Sequence, residues 1–132
     1  MYANTQDATQ KYSASAAEQV ADSGDGYAII RSLLAKIIAR LGMARHGIQA
    51  NEMAMKGEQI GMAIETLNVL QVAIDESHDA TLAGNLVALY DYMSRQLLHA
   101  NLHNDTAILD EVIELVREIK SAWDAIGEPI SG

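Results

Sequence analysis

The sequence predicts an all-α protein, an antiparallel up-and-down four-helix bundle that follows a mobile N-terminal arm. Apolar residues make up 49% of the 132 residues and aromatic residues only 5%. The apolar set is mainly Ala, Leu, Ile and Met, which favours packed helices over sheets. Apolar residues recur at three- and four-residue steps through most of the chain, which is the period of an amphipathic helix. The only proline is Pro129, so no proline interrupts a helix before it.

The composition divides the chain into three parts. Residues 1–26 are polar and small, and they end in the turn-forming stretch DSGDG, so we expect them to form the mobile arm, which is partly disordered or contains a short helical turn around Ala16 to Val20. Residues 27–127 carry the helical pattern and are predicted to form one bundle domain, and residues 128–132 form a short tail. The chain contains no cysteine, which excludes disulfides and thiolate metal sites.

The first helix is predicted to begin at Tyr27 and to end in the stretch HGIQAN, residues 46–51. Ile29 and Ile38 widen its apolar stripe to about half of the circumference, which is more than a surface helix needs. Asn51 is expected to cap the next helix. The predicted core residues of the first helix are Ile30, Leu33, Leu34, Ile37, Leu41, Ala44 and Ile48.

The second helix is predicted from about Glu52 to Asp75 and has two apolar lines. Met55, Met62 and Val69 follow one another at seven-residue spacing. Projected at about 100° per residue, this line lies nearly opposite the core face. It therefore predicts a further contact, which is either packing against the arm or a symmetry mate, or a groove for a partner helix. The predicted core face consists of Met53, Ile60, Ile64, Leu67, Leu70 and Ile74.

The third helix is predicted from about Leu82 to Leu102, and Asp105 or Thr106 is expected to cap the fourth. Gly127 and Pro129 end the fourth helix. The predicted core face of the third helix consists of Leu82, Leu86, Leu89, Tyr90, Met93 and Leu97. That of the fourth consists of Ile108, Val112, Leu115, Val116, Ile119, Trp123 and Ile126.

The charge disfavours two classes of partner. The formal net charge is −9, from 18 acidic and 9 basic residues, whereas nucleic acids and anionic membranes are bound by basic faces. The N-terminal stretch lacks a basic region followed by an apolar one, and the apolar runs are too short to span a bilayer. We therefore expect a soluble, cytoplasmic protein.

The sequence contains no catalytic motif. A nucleophile elbow, a phosphate-binding loop and the Glu-x-x-His pattern of di-iron bundles are all missing, so neither an enzyme nor a cofactor is predicted. His99 and His103 lie four residues apart and share one helix face. Two imidazoles at this spacing could bind zinc, but a pair of solvated histidines is the simpler interpretation.

The third and fourth helices carry a family pattern. Residues 85–93 read NLVALYDYM, residues 97–105 fit L-L-x-A-N-x-x-x-D, and the acidic fourth helix ends in Ala122 and Trp123. This region closely resembles the C-terminal half of the flagellin-export chaperones, the FliS family. The first helix departs from the family pattern, since it lacks the usual proline and has Lys36 near a usually acidic position.

The resemblance implies a small helical bundle that binds the disordered C-terminal segment of flagellin, prevents its premature polymerisation and helps deliver it for export. An export-gate component or other flagellar proteins are expected as further partners, and the chain itself is expected to be a monomer or a weak homodimer. An arm tyrosine, matched here by Tyr12, is expected to cover part of the client groove. The predicted client-binding residues are Tyr12, Ile29, Leu34, Ile38, Met55, Met62, Val69 and Tyr92.

Tyr90 is expected inside the bundle, whereas Tyr92 is free to contact a partner or another helix. Two other functions stay open on the sequence alone. One is a self-associating structural bundle or adaptor whose apolar stripes form a dimer, with a different flagellar client. The other is a metal-binding bundle that uses His99 and His103.

Overall fold

The computed structural model describes residues 26–74 and 80–127. They form four helices, α1 (Gly26–Gln49), α2 (Met53–Val72), α3 (Ala80–His103) and α4 (Thr106–Gly127). The predicted all-α bundle is thereby confirmed, with helix limits close to those expected. The predictions for the arm, for Tyr12 and for the tail at 128–132 lie outside the described residues.

The helices form a closed ring of neighbours. In the described part of the chain α1 packs against α2 and α4, α3 packs against the same two helices, and the backbones of the diagonal pairs do not approach each other closely. Side chains show that neighbours are antiparallel. Lys56, near the start of α2, contacts Asn101 near the end of α3, and Tyr27 at the start of α1 stacks against Trp123 near the end of α4. This is the predicted up-and-down arrangement.

The core consists of buried residues from all four helices. Most of the predicted positions are buried or packed against the core, but Met53 and Leu82 are exposed, so these two predictions were wrong. Both lie in the first turn of a helix, where the apolar period continues but fewer neighbouring residues surround the side chain. The fully or nearly buried residues are Leu34, Ile37, Leu41, Ala44, Ile60, Ala63, Leu67, Leu70, Tyr90, Met93, Leu97, Ala100, Leu109, Val112, Ile113 and Val116.

Two asparagines end helices. Asn51 and Asn104 have φ angles of 59° and 53°, a left-handed conformation that asparagine tolerates better than most residues. Asn51 was predicted to cap α2, but Glu52 precedes that helix and makes no side-chain cap. The predicted cap of α4 is confirmed, because Oδ1 of Asp105 accepts the backbone N–H of Ile108 at 3.2 Å.

A buried lysine joins α2 to α3. Lys56 is only 8% exposed. Its Nζ donates to the carbonyl oxygen of Asn101 and to Oδ1 of Asn104, each at 2.8 Å. The cation thus lies at the carboxyl end of α3, where the last carbonyls lack helical partners and the helix dipole favours positive charge. These contacts compensate for removing the ammonium group from water.

Candidate partner-binding surface

Met55, Met62 and Val69 of α2, which we call the methionine line, lie beside α1. Nη1 of Arg40 approaches Sδ of Met62 at 2.9 Å and donates to Oε1 of Gln59 at 3.3 Å. Farther along, a Cβ atom at Gly47 would lie 3.1 Å from Cε of Met55. The line therefore does not lie opposite the core face, as the projection predicted. It borders the seam between α1 and α2, with its side chains partly exposed.

The same two contacts set the register between α1 and α2. Arg40 lies opposite Met62, and Gly47 lies opposite Met55. In antiparallel helices this register places Met43 between Met55 and Met62. A projection at about 100° per residue puts Met43 on the same flank of α1 as Arg40.

The projection places Ile29 and Lys36 on this flank as well, since they precede Met43 at seven-residue steps. We call the resulting surface the α1–α2 groove. It is partly exposed and mainly apolar, and Met43 alone is 47% exposed. The residues that define it are Ile29, Lys36, Arg40, Met43, Met55, Met62 and Val69.

The structure separates the predicted client-binding residues. Four of them lie in the α1–α2 groove. Leu34 has no exposed surface and belongs to the core, so in this conformation it has no surface to offer a partner. Ile38 lies on the other flank of α1, in an open pocket against α4. The pocket is lined by Ala35, Ile38, Arg117, Lys120, Ser121 and Asp124.

The two tyrosines of the NLVALYDYM stretch have different surroundings. Tyr90 is 3% exposed, as predicted, and burial raises its pKa to about 12. Tyr92 is 38% exposed, and its hydroxyl donates to Oε1 of Glu111 on α4 at 2.9 Å. This hydrogen bond is the largest of the effects that raise the Tyr92 pKa. Tyr92 thus joins α3 to α4, away from the α1–α2 groove.

The histidine pair lies at the end of α3. The ring centroids of His99 and His103 are 4.4 Å apart, with the rings tilted by 49°. No third histidine, cysteine or carboxylate completes a possible metal site within the ranges 26–74 and 80–127. The described geometry gives the metal hypothesis no further support.

Sequence reasoning missed two exposed leucines on α3. Leu98 is 58% exposed and Leu102 is 77% exposed. They are four residues apart and so share one helix face. The pair Leu97–Leu98 could have indicated an exposed leucine. Adjacent helix residues point about 100° apart, so only one of the two can face the core centre.

The sequence is similar to proteins of one known family. The sequence model of the family described as flagellar protein FliS matches residues 7–129. The chain belongs to the FliS family. It is 41% identical over 108 residues to flagellar secretion chaperone FliSB of Pseudomonas aeruginosa, covering 82% of this chain and 85% of that one.

Two further relatives are flagellar secretion chaperones named FliS. The protein of Vibrio cholerae is 35% identical over 117 residues, which cover 89% of this chain and 86% of the relative. The protein of Escherichia coli is 36% identical over 116 residues, which cover 87% and 85%. Among the described helices of this FliS-family chain, none combines the length and apolar character required to cross a membrane.

Proposed function

We propose that this chain is a cytoplasmic export chaperone that binds the C-terminal segment of flagellin, prevents its premature polymerisation and aids its delivery to the flagellar export apparatus. Family membership supports the chaperone class. The α1–α2 groove is the surface that we assign to the client.

The partial exposure of the methionine line carries this assignment. In a simple bundle the flank of a helix is covered by charged side chains. Here Met55, Met62 and Val69 remain partly exposed beside Met43, which is 47% exposed. Methionine side chains are flexible and polarizable, so they adapt to an apolar helix face of irregular shape.

The client chemistry fits a long apolar groove. A segment that is disordered when free loses conformational entropy when it folds on its chaperone. Burial of apolar surface must offset this loss, which gives binding a negative heat-capacity change. A shallow seam along two helices supplies area along the length of a client helix, whereas a compact pocket would not.

Titration calorimetry with a peptide from the C-terminal segment of the cognate flagellin tests the proposal. We expect binding with a negative heat-capacity change. Met62→Gln, which keeps the side-chain length and charge but adds a polar amide, should weaken binding about tenfold, because about 1.4 kcal/mol of apolar contact is lost.

The matched control is Leu98→Gln, which makes a similar change on α3, a helix that is not part of the α1–α2 groove. It should leave the affinity unchanged. Absence of binding to the unmodified chain would remove flagellin as the client. Equal losses for Met62→Gln and Leu98→Gln would place the client elsewhere than the α1–α2 groove.

One observation favours a second candidate function, a self-associating adaptor. Leu98 and Leu102 form an exposed apolar pair on α3, on a helix that does not contact α1. Exposed apolar side chains at neighbouring positions mark interaction surfaces more often than single ones do. A second copy or an export-gate component would be the partner of this pair.

A further inference from the structure

The charges of α1 differ from those of the chain as a whole. The full sequence carries a net charge of −9. Helix α1 contains Arg31, Lys36, Arg40 and Arg45 but neither Asp nor Glu. It thus carries four of the nine basic residues of the chain and is a basic helix in an acidic protein.

Most of these cations are not neutralised by carboxylates within the described residues. Arg45 forms an ion pair with Asp110 at 2.9 Å. Nε of Arg31 donates to the carbonyl oxygen of Tyr27 in its own helix, at 3.4 Å. Arg40 contacts the neutral groups of α2 described above.

Lys36 is exposed and makes no ion pair with any residue in the described ranges. Together with Arg40 it gives the α1 wall of the groove a positive charge. On the α2 side of the groove, Glu58 and Glu65 are exposed. A helical projection of α2 puts both at its outer rim, one before Met62 along the helix and the other after it. The groove is therefore apolar along its floor, positive on the α1 side and negative on the α2 side.

We infer that the α1–α2 groove binds an amphipathic client helix whose carboxylates face Lys36 and Arg40, so that charge sets the orientation of the client. This inference rests on the proposed function and adds the chemistry of the client segment. An acidic segment is repelled by most of a chain of charge −9 but attracted along α1. Placed the other way round, its carboxylates would meet Glu58 and Glu65, and like charges in contact oppose binding.

Two other occupants of the positive wall predict different effects of a substitution at Lys36. Residues 1–25 contain Asp7, Glu18, Asp22 and Asp25 against a single Lys11, so this segment is acidic. If it competed for Lys36, removing the lysine would strengthen client binding. If the acidic helix α4 of a second copy were the occupant, Lys36→Glu would abolish a dimer in sedimentation.

The test measures binding of a flagellin C-terminal peptide to the full chain by fluorescence anisotropy. We expect Lys36→Glu to weaken binding about threefold to tenfold at low salt, with the difference shrinking as salt screens the pair. Arg95→Glu makes the same charge change on α3, away from α1. It should change the affinity less than twofold, a threshold that separates a local pair from a net-charge effect.

A second peptide, with its acidic residues changed to Gln, completes a double-mutant cycle between Lys36 and the carboxylates of the client. The unmodified chain and Lys36→Glu should bind this peptide equally, because the interacting charge is gone. Equal effects of Lys36→Glu and Arg95→Glu, or stronger binding by Lys36→Glu, would overturn the inference while leaving flagellin binding intact. Absence of binding to the unmodified chain would instead reject the proposed function.

Discussion

At the scale of single residues, Lys56 shows how one side chain determines the meeting of two helices. A lysine is seldom buried because its ammonium group loses hydration. Here two oxygens at the end of α3 take the place of water. One of them belongs to Asn104, whose left-handed backbone ends the helix. The lysine therefore anchors the start of α2 to the end of α3.

Lys56→Met is expected to lower the free energy of unfolding by about 2 kcal/mol, because a charge-assisted pair of hydrogen bonds is lost at nearly constant volume. Urea denaturation followed by circular dichroism measures the change. Lys36→Met, on the exposed surface of α1, serves as the control and should stay within about 0.5 kcal/mol. Equal stability of the two variants would show that the Lys56 contacts add no net free energy.

At the scale of elements, two of the three glycines of α1, Gly42 and Gly47, have contrasting surroundings. A Cβ atom at Gly47 would lie 3.1 Å from the backbone oxygen of Glu52 and 3.2 Å from Cβ of Lys56, so the start of α2 would have to shift slightly to admit it. A Cβ atom at Gly42 would meet nothing within 4 Å. Gly47 permits the close α1–α2 turn, whereas Gly42 only weakens the helix.

These surroundings predict opposite effects of the same substitution. Gly42→Ala should raise the free energy of unfolding by about 0.5–1 kcal/mol through helix propensity. Gly47→Ala should lower it, because the crowded backbone oxygen of Glu52 cannot move as a side chain would. Thermal unfolding of both variants measures the difference. A gain in stability for both would mean that the turn after α1 shifts at little cost.

At the scale of the whole molecule, the exposed apolar surfaces discussed above belong to different helices. The α1–α2 groove belongs to one pair of helices, and Leu98 and Leu102 belong to α3, which is not part of that pair. The bundle therefore offers two separate contacts. The larger one suits the client, and the smaller one suits a weak partner.

The leucine pair is too small for a stable dimer. Stable interfaces bury about 1,200 Å² or more in total, and two leucine side chains supply only a fraction of that area. Sedimentation equilibrium should therefore show a monomer at micromolar concentration and weak association well above it, which Leu102→Glu removes. A stable dimer that persists in Leu102→Glu would place self-association on another surface and favour the adaptor function.

Sequence patterns predicted most of the fold because each helix repeats a local rule. The stripe of α4, with Val112 and Val116 inside, and the cap at Asp105 could be read from neighbouring residues alone. The candidate site was harder to predict. Leu34 and Ile38 belong to one apolar stripe in sequence, yet Leu34 lies in the core and Ile38 faces the pocket beside α4.

The sequence by itself determined that the chain forms four antiparallel helices, which residues face inward along most of their length, and which family the chain resembles. These properties depend on helix period, caps and motif spacing, which are local. Only the tertiary structure decided that Met62 borders α1, that Lys56 finds oxygens on α3, and that Arg40 of α1 shares a groove with the methionines. Such features depend on how one helix is rotated and shifted against its neighbour, and packing of the whole core sets that geometry.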